Sequence, residues 1–285
     1  MKKILAFVLT AGLSLSLFAA DIFKYAPITG NVKAYTETDF SIATRFGTLY
    51  RTPSTKIMHI FDSNGKETSS SELTPKDAVI NTISTTYDTA GNLVEQLCTS
   101  ADGEVVWKNS YTYKNGLKTD ASEYDRKGNL RARTIYTYDN NVLVDESSYD
   151  GEGALIWKTI YKYSDANRIA SVNEYNPDGS LSEKLEYNYT ESGAIDSISK
   201  YDAFAGKLTS MIFRYGANGA LGEITTYNSD KQVIKRTLIK YDAKGNVNKI
   251  SEYDVAEKFG TTVNELVAMS EYSFEYNGGS AADAK

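Results

Sequence analysis

The sequence is poor in the side chains that carry most enzyme chemistry: its 285 residues include one histidine, one cysteine and two tryptophans. Cys98 has no partner for an internal disulfide, so we expect a buried thiol that packs as a small apolar group. With so few histidine and cysteine ligands, the sequence predicts no metal site and no cofactor. The net charge is −6, which makes nucleic acid and anionic lipid surfaces poor partners.

The sequence begins with a segment typical of a secretory signal peptide. Lys2 and Lys3 form a short basic start, and an apolar run from Ile4 to Phe18 precedes Ala19 and Ala20. The run is shorter than the roughly 20 residues that a membrane-spanning helix needs, so a retained membrane anchor is the less favoured alternative. We therefore predict a signal peptide at residues 1–20, cleaved after Ala20, and an exported protein in the periplasm or at the surface of a bacterium.

Tyrosine is abundant, with 22 residues, and most tyrosines recur at regular spacing. From Tyr113 onward, the gaps between successive register tyrosines alternate between 11 or 12 and 14 residues, which gives a repeat of about 25 to 26 residues. Phe61 and Tyr35 extend the same register towards the N-terminus. The register tyrosines are Tyr87, Tyr113, Tyr124, Tyr138, Tyr149, Tyr163, Tyr175, Tyr189, Tyr201, Tyr215, Tyr227, Tyr241 and Tyr253.

Each register aromatic precedes a turn sequence, such as Asp242-Ala243-Lys244-Gly245-Asn246 after Tyr241. Aspartate at the first turn position accepts backbone N–H bonds, and glycine adopts the positive φ that closes a hairpin. Between turns, side chains alternate with the period of a β-strand. The sequence therefore predicts an all-β fold, an antiparallel β-meander of about 14–16 strands built from hairpin repeats.

The segments Tyr136-Thr137-Tyr138-Asp139 and Tyr241-Asp242-Ala243-Lys244-Gly245-Asn246-Val247 resemble the Tyr-x-Tyr-Asp-x-x-Gly-Asn/Arg-Leu core of the YD-repeat, or RHS-repeat, family. The resemblance covers most of the chain after residue 20 and implies a strip of β-hairpins. Family members that enclose a toxin are many times longer and carry a processing protease core and a variable toxin end. This chain has neither, so the resemblance does not imply a toxin shell.

We expect the hairpins to form a twisted or curled open sheet whose tyrosine side lines the concave surface, with the tyrosine hydroxyls in water. A flat single-layer sheet is the alternative. The expected organisation is a signal peptide at 1–20, an N-terminal cap with the first irregular strands at 21–60, hairpin repeats at 61–253, an insert plus the last strand at 254–276, and a flexible tail at 277–285. Residues 254–268 of the insert are a candidate for a short helix.

Several candidate chemical groups have simpler structural interpretations. His59 stands two residues before Phe61, so we expect a half-buried ring on the aromatic face. Asp120, Asp145 and Glu223 each stand four residues before a register tyrosine. Carboxylates in such a row resemble a set of glycosidase acids, but the regular spacing favours a charge row on a sheet. The turn aspartates are expected to cap turns and not to bind calcium.

Trp107 and Trp157 occupy the same slot two repeats apart, with Ala132 in the slot between them. Core packing explains this pattern, and an aromatic platform for a sugar or a peptide is the alternative. Phe204 is an apolar residue at a hairpin tip and is a candidate contact point. The predicted ligand or partner contacts are Trp107, Trp157, Tyr111, Tyr136, Tyr161 and Phe204.

The whole pattern predicts a non-enzymatic exported repeat protein that acts as a binding or scaffolding element. Its expected partner is a protein or glycan of the cell envelope, bound on the aromatic face or along an exposed edge strand. An outer-membrane β-barrel is the main alternative, and a carbohydrate-active enzyme is a more remote one. Charges in mid-strand, such as Asp120 and Lys158, and short loops at both ends favour a chain that does not insert into the membrane.

Overall fold

The computed structural model describes residues 22–258 and 260–278. The predicted signal peptide and nearly all of the predicted tail lie outside these residues. The described chain contains a 3-10 helix at Ile22–Lys24 and 18 β-strands. Within this part of the chain, no helix has the length and apolar character needed to cross a membrane.

The strands are β1 (Val32–Arg45), β2 (Thr48–Phe61), β3 (Glu67–Leu73), β4 (Val79–Tyr87), β5 (Leu93–Ser100), β6 (Val105–Lys114), β7 (Leu117–Asp125), β8 (Leu130–Asp139), β9 (Val142–Asp150), β10 (Leu155–Tyr163), β11 (Ile169–Tyr175), β12 (Leu181–Tyr189), β13 (Ile195–Asp202), β14 (Lys207–Tyr215), β15 (Leu221–Tyr227), β16 (Val233–Tyr241), β17 (Val247–Lys258) and β18 (Thr261–Tyr276).

Strand ends follow the register aromatics, as the repeat predicts. Strands β2, β4, β10 and β16 end at Phe61, Tyr87, Tyr163 and Tyr241, and the turns follow directly. The count of 18 strands exceeds the predicted 14–16. Strands β3 and β5 end at Leu73 and Ser100, where the repeat has no register aromatic, so a count of the aromatics misses them.

The turns use the predicted chemistry. Asp125 Oδ1 accepts the backbone N–H of Lys127 at 2.8 Å and of Asn129 at 2.9 Å. Gly128 closes the same turn with a φ of 81° and donates its N–H to the Asp125 carbonyl at 2.9 Å. These hydrogen bonds stabilise the ionised carboxylate and lower the pKa of Asp125. The prediction that the turn aspartates act as caps is confirmed for this turn.

The predicted helix within residues 254–268 is wrong, because residues 254–258 belong to β17 and residues 261–268 belong to β18. Val255 pairs with Asn264 and Ala256 with Val263 in antiparallel register. Backbone pairing with a neighbouring strand satisfies the same N–H and C=O groups that a helix would satisfy internally, and Val255, Val263 and Val267 are β-branched. The insert therefore lengthens two strands.

The sheet is closed, and the predicted open sheet is wrong. All strands belong to one 18-stranded antiparallel sheet that follows the sequence order, and β1 pairs with both β2 and β18. Tyr35 lies opposite Phe274 and Phe40 lies opposite Met269. A sheet whose first and last strands pair has the topology of a β-barrel, because the pairing satisfies backbone groups that two free edges would expose. The same pairing removes the edge strand expected to bind a partner by β-augmentation, and it excludes the flat sheet.

The described chain forms two compact units. Unit 1 contains residues 85–212 and 228–231, and unit 2 contains residues 22–84, 213–227, 232–258 and 260–278. The Cys98 side chain is buried in unit 1, as predicted.

Unit 2 buries its N-terminal segment against the sheet. Ile22 is 1% exposed, and the Phe23 ring contacts the rings of Tyr35 and Tyr272, each with centroids 5.5 Å apart. The Thr29 N–H donates to Asn246 Oδ1 at 2.7 Å, and Asn246 is itself 1% exposed. Residues 22–29 therefore act as a cover over the aromatic side of this unit.

Two hairpins of unit 2 project at the same end of their strands. Strands β1 and β18 pair as far as Ser41 and Ala268. Beyond these residues, β1 pairs only with β2, and this pairing extends to Arg45 opposite Thr48. At the same end, β18 pairs only with β17. Phe46 at the first tip is fully exposed. The expectation that loops are short at both ends therefore does not hold for these two hairpins.

Candidate functional site

Cross-strand register defines two faces of the sheet in unit 1, because side chains alternate along each strand. Tyr111 lies opposite Ala121, Ala121 opposite Thr134, Thr134 opposite Ser148, and Ser148 opposite Trp157. We call this side the ring face of unit 1; Tyr136 and Tyr161 lie on it as well. The opposite side, with Lys108, Arg133 and Lys158, is called the ion-pair face.

The register tyrosines do not share one face, which corrects the expected single tyrosine side. Tyr124 lies opposite Lys108 and Tyr149 opposite Arg133, both on the ion-pair face. The Lys108 ammonium lies 5.4 Å from the centre of the Tyr124 ring, within the range of a cation–π contact. The tyrosines after the shorter gaps therefore form a row of rings beside basic side chains.

The tyrosines after the longer gaps brace the sheet through their hydroxyls. Tyr163 Oη donates to the Leu143 carbonyl at 2.8 Å, and Tyr138 Oη donates to the Lys118 carbonyl at 2.9 Å. Tyr189 and Tyr241 likewise donate to the backbone carbonyl of the residue 20 positions earlier in the chain. The expectation that these hydroxyls stay in water is wrong, because each one satisfies a backbone carbonyl near the start of the preceding strand.

The ring face of unit 1 places two of the predicted contact residues, Tyr136 and Tyr161, beside a half-buried carboxyl group, and Lys118 lies between Tyr136 and a third, Tyr111. Glu146 lies opposite Tyr136 on one side and Thr159 on the other, and it hydrogen-bonds Tyr161. Tyr111 Oη donates to Gln96 Oε1 at 2.6 Å. The Lys118 ammonium lies 4.0 Å from the Tyr136 ring centre and 5.8 Å from that of Tyr111.

Burial sets the electrostatics of this cluster. It raises the pKa of Glu146, because the half-buried carboxylate loses part of its hydration. Burial also raises the pKa of Tyr136 to about 12, with a further contribution from the Glu146 charge. Tyr161 is shifted upwards for the same two reasons, and its pKa lies above the ordinary tyrosine value. The cluster thus presents neutral phenols, ring faces and one carboxyl group, which suits noncovalent binding.

The two tryptophans lie in different environments. Trp107 is 8% exposed and belongs to the buried part of unit 1. Trp157 is half-buried on the ring face, beside the fully buried Ser148. Phe204, at 92% exposed, lies in the turn between β13 and β14. The structure therefore groups Tyr111, Tyr136 and Tyr161, places both Trp107 and Trp157 on the same face, and locates Phe204 in a turn outside it.

The acidic row is a set of ion pairs across neighbouring strands. Asp145 contacts Lys158 at 2.5 Å, and Glu223 contacts Arg236 at 2.8 Å. Asp120 pairs with Arg133 in the same way. In each case the base lies 13 residues after the acid, a spacing visible in the sequence. The interpretation as a charge row is confirmed, with a cation for every acid of the set.

His59 also has its predicted structural role. Its ring stacks on Tyr35 in unit 2, with centroids 4.3 Å apart, and its Nδ1 lies 2.9 Å from Glu67 Oε1. The ring is half-buried on the side of the sheet that carries Tyr35 and Tyr272.

Sequence reasoning missed a hollow on the ion-pair face of unit 1. Its volume is about 560 Å³, and Ile135, Ser147, Tyr149, Lys158 and Ile160 line it. Ser147 forms its floor because a small side chain stands between Ile135 and Lys158 in the cross-strand row. The sequence pattern that could have revealed the hollow is the alternation of isoleucine and charged residues along β8 and β10.

Comparisons with known proteins leave the family open. No family model matches the chain, and no curated protein matches it. The chain is similar to a porin-like protein from Bacteroides uniformis, with 10% identity and a TM-score of 0.49, over 86% of this chain and 98% of that chain. A porin-like protein from Bacteroides vulgatus has 11% identity and a TM-score of 0.39, over 88% and 100%.

A chain of the TcdB2–TccC3 structure has 11% identity and a TM-score of 0.23, over 76% of this chain and 16% of that chain. TM-scores this low carry no argument about function. The YD-repeat resemblance therefore stays a prediction from the sequence.

Proposed function

We propose that the chain is an exported, non-catalytic β-barrel protein of the bacterial envelope that acts by binding. The observation that carries this proposal is the pairing of β1 with β18, which closes the antiparallel sheet. This closure favours the β-barrel alternative over an open scaffold, because no strand at either end of the sequence order is left to recruit a partner by edge pairing.

The chemistry of the ion-pair face supports a barrel that stays in contact with water. The side chains of Arg133, Lys158 and Lys184 are 51%, 41% and 39% exposed on this face. Exposure of a basic side chain to the middle of a bilayer costs about 2–4 kcal/mol, and these three lie in successive hairpins. An unbroken apolar band, which lipid contact requires, is missing among the described residues of this face.

The ring face of unit 1 is the proposed binding surface. Tyr111, Tyr136, Tyr161 and Trp157 offer ring faces, and Glu146 offers a carboxyl group between them. Rings of this kind stack on the apolar faces of sugars or on peptide side chains, while the polar groups fix orientation. An envelope glycan or an extended peptide is the proposed ligand.

A barrel inserted in the outer membrane is the second candidate function. Two observations favour it: an even number of antiparallel strands paired in sequence order, and two long hairpins at one end of unit 2. In that arrangement the tyrosine rows would lie at the membrane interfaces.

Membrane fractionation separates the two candidates. The full chain is expressed in a bacterium, and the envelope is divided into soluble and sedimented fractions. The chain without residues 1–20 is purified in parallel without detergent. We expect the exported protein in the soluble periplasmic or surface fraction and the purified chain to be monodisperse. Recovery only in detergent, with migration on a gel that changes on heating, would establish the membrane-inserted barrel instead.

A further inference from the structure

Unit 2 has a hollow beside Thr38, Phe40 and Lys249 whose charge differs from that of the whole chain. Its volume is about 410 Å³. The residues that line it include Thr38, Phe40, Lys240, Lys249, Glu271 and Ser273. Four of them form one cross-strand row, with Lys240 opposite Lys249, Lys249 opposite Glu271, and Glu271 opposite Thr38.

The row places two lysines directly opposite each other. Side chains in such positions have Cβ atoms about 4.5–5.5 Å apart, and like charges there repel. Lys240 makes no ion pair with any described residue. Glu271 is shared, since it lies 2.7 Å from Arg51 Nη1 and 3.5 Å from Lys249 Nζ. The single carboxylate therefore leaves two positive charges of this group without a counter-ion.

We propose that this hollow binds a small phosphorylated saccharide. A phosphate monoester carries a charge of about −1.5 to −2 at pH 7. This charge matches the excess of the three cations Lys240, Lys249 and Arg51 over the single carboxylate of Glu271. The hydroxyls of Thr38 and Ser273 supply additional donors at the rim, and they make no hydrogen bond with other described residues. Phe40 gives the hollow an apolar wall for the sugar ring, and the Arg51 guanidinium lies 5.2 Å from the ring centre of Phe40.

The charge of the hollow also explains why the phosphate end would enter it. The chain as a whole has a net charge of −6, so most of its surface repels an anion, and a local positive hollow concentrates one. Lysine is suited to phosphate as a compact cation. This inference rests on the proposed function, because the hollow must face water to bind a sugar phosphate. The fractionation experiment tests that condition before any ligand is added.

Isothermal titration calorimetry on the purified chain without residues 1–20 tests the inference. The probes are glucose 6-phosphate, glucose 6-sulfate, glucose and inorganic phosphate. We expect glucose 6-phosphate to bind at least about tenfold more tightly than glucose or the singly charged sulfate ester, because a charge-assisted hydrogen bond is lost or weakened in each control. Inorganic phosphate should bind more weakly than the sugar phosphate, since it makes no contact with Phe40.

Variants locate the site. Lys240→Gln and Lys249→Gln should each weaken glucose 6-phosphate binding about tenfold, and Lys240→Arg should retain it. Lys33→Gln is the matched control, because Lys33 is an exposed lysine of unit 2 outside the hollow; its binding should stay within about twofold. Removal of a repelling lysine should not lower the melting temperature. Equal affinity for glucose and glucose 6-phosphate, or an unchanged affinity in both glutamine variants, would overturn the proposal.

Discussion

The tyrosine hydroxyl bonds provide the sharpest test of how the repeat stabilises the sheet. Tyr163→Phe removes one hydroxyl and leaves the half-buried ring in place. The lost bond to the Leu143 carbonyl, 2.8 Å long, contributes about 0.5–1.5 kcal/mol net, and an unsatisfied carbonyl adds to the cost. We expect a loss of about 1–2 kcal/mol in the free energy of unfolding.

Tyr175→Phe is the matched control. Tyr175 also ends a strand, but it lies on the ion-pair face opposite Lys158, and its hydroxyl makes no hydrogen bond with any described residue. Its substitution should change stability by less than about 0.5 kcal/mol. Urea unfolding followed by far-ultraviolet circular dichroism measures both variants, with the wild-type slope as a check on cooperativity. If the two substitutions lower the free energy of unfolding equally, the hydroxyl bond to the carbonyl is not how the tyrosines after the longer gaps stabilise the sheet.

Two further predictions follow from burial. Trp107→Ala should destabilise unit 1 by about 3–5 kcal/mol in thermal or urea unfolding, because Trp107 is 8% exposed, whereas Trp157→Ala should lower affinity for an envelope glycan or peptide more than it lowers the melting temperature. A larger loss of stability in Trp157→Ala than in Trp107→Ala would remove Trp157 from the binding surface. In unit 2, burial and then the neighbouring Asp39 raise the pKa of Glu37 from 4.5 to about 7, and Tyr272 and His59 oppose the shift. The folded state holds this proton more tightly, so the contribution of Glu37 is most favourable below pH 4.5 and is lost as the pH rises towards 7, by roughly 3 kcal/mol. Glu37→Gln should remove that part of the pH dependence in urea titrations, and an unchanged profile would contradict the assigned pKa.

Local features of the fold could be read from the sequence because they depend on neighbouring residues. Asp125 and Gly128 encode their turn within a few positions, through a side-chain acceptor and a positive φ. The strand ends at Tyr87 and Tyr241 follow from the same repeat. The pairing of Asp145 with Lys158 was also present as a 13-residue spacing.

Features that depend on register between strands could not be read in this way. The tyrosines look equivalent in sequence, but Tyr124 and Tyr111 lie on opposite faces because their positions relative to the neighbouring strand differ. For the same reason the repeat did not show that Tyr163 reaches the Leu143 carbonyl. The contact residues Tyr111, Tyr136 and Tyr161 were named from the sequence, whereas Glu146 between them came from the structure.

The sequence by itself determined the class of structure: its turn residues, its alternating strands and its repeat dictate an antiparallel meander. Only the tertiary structure decided that the meander closes. Tyr35 and Phe274, which pair across β1 and β18, are far apart in the chain, and no local pattern specifies such a contact. The closing strands are also those outside the regular repeat. Closure is favoured because the backbone groups of both end strands find partners in each other and not in water or in another chain.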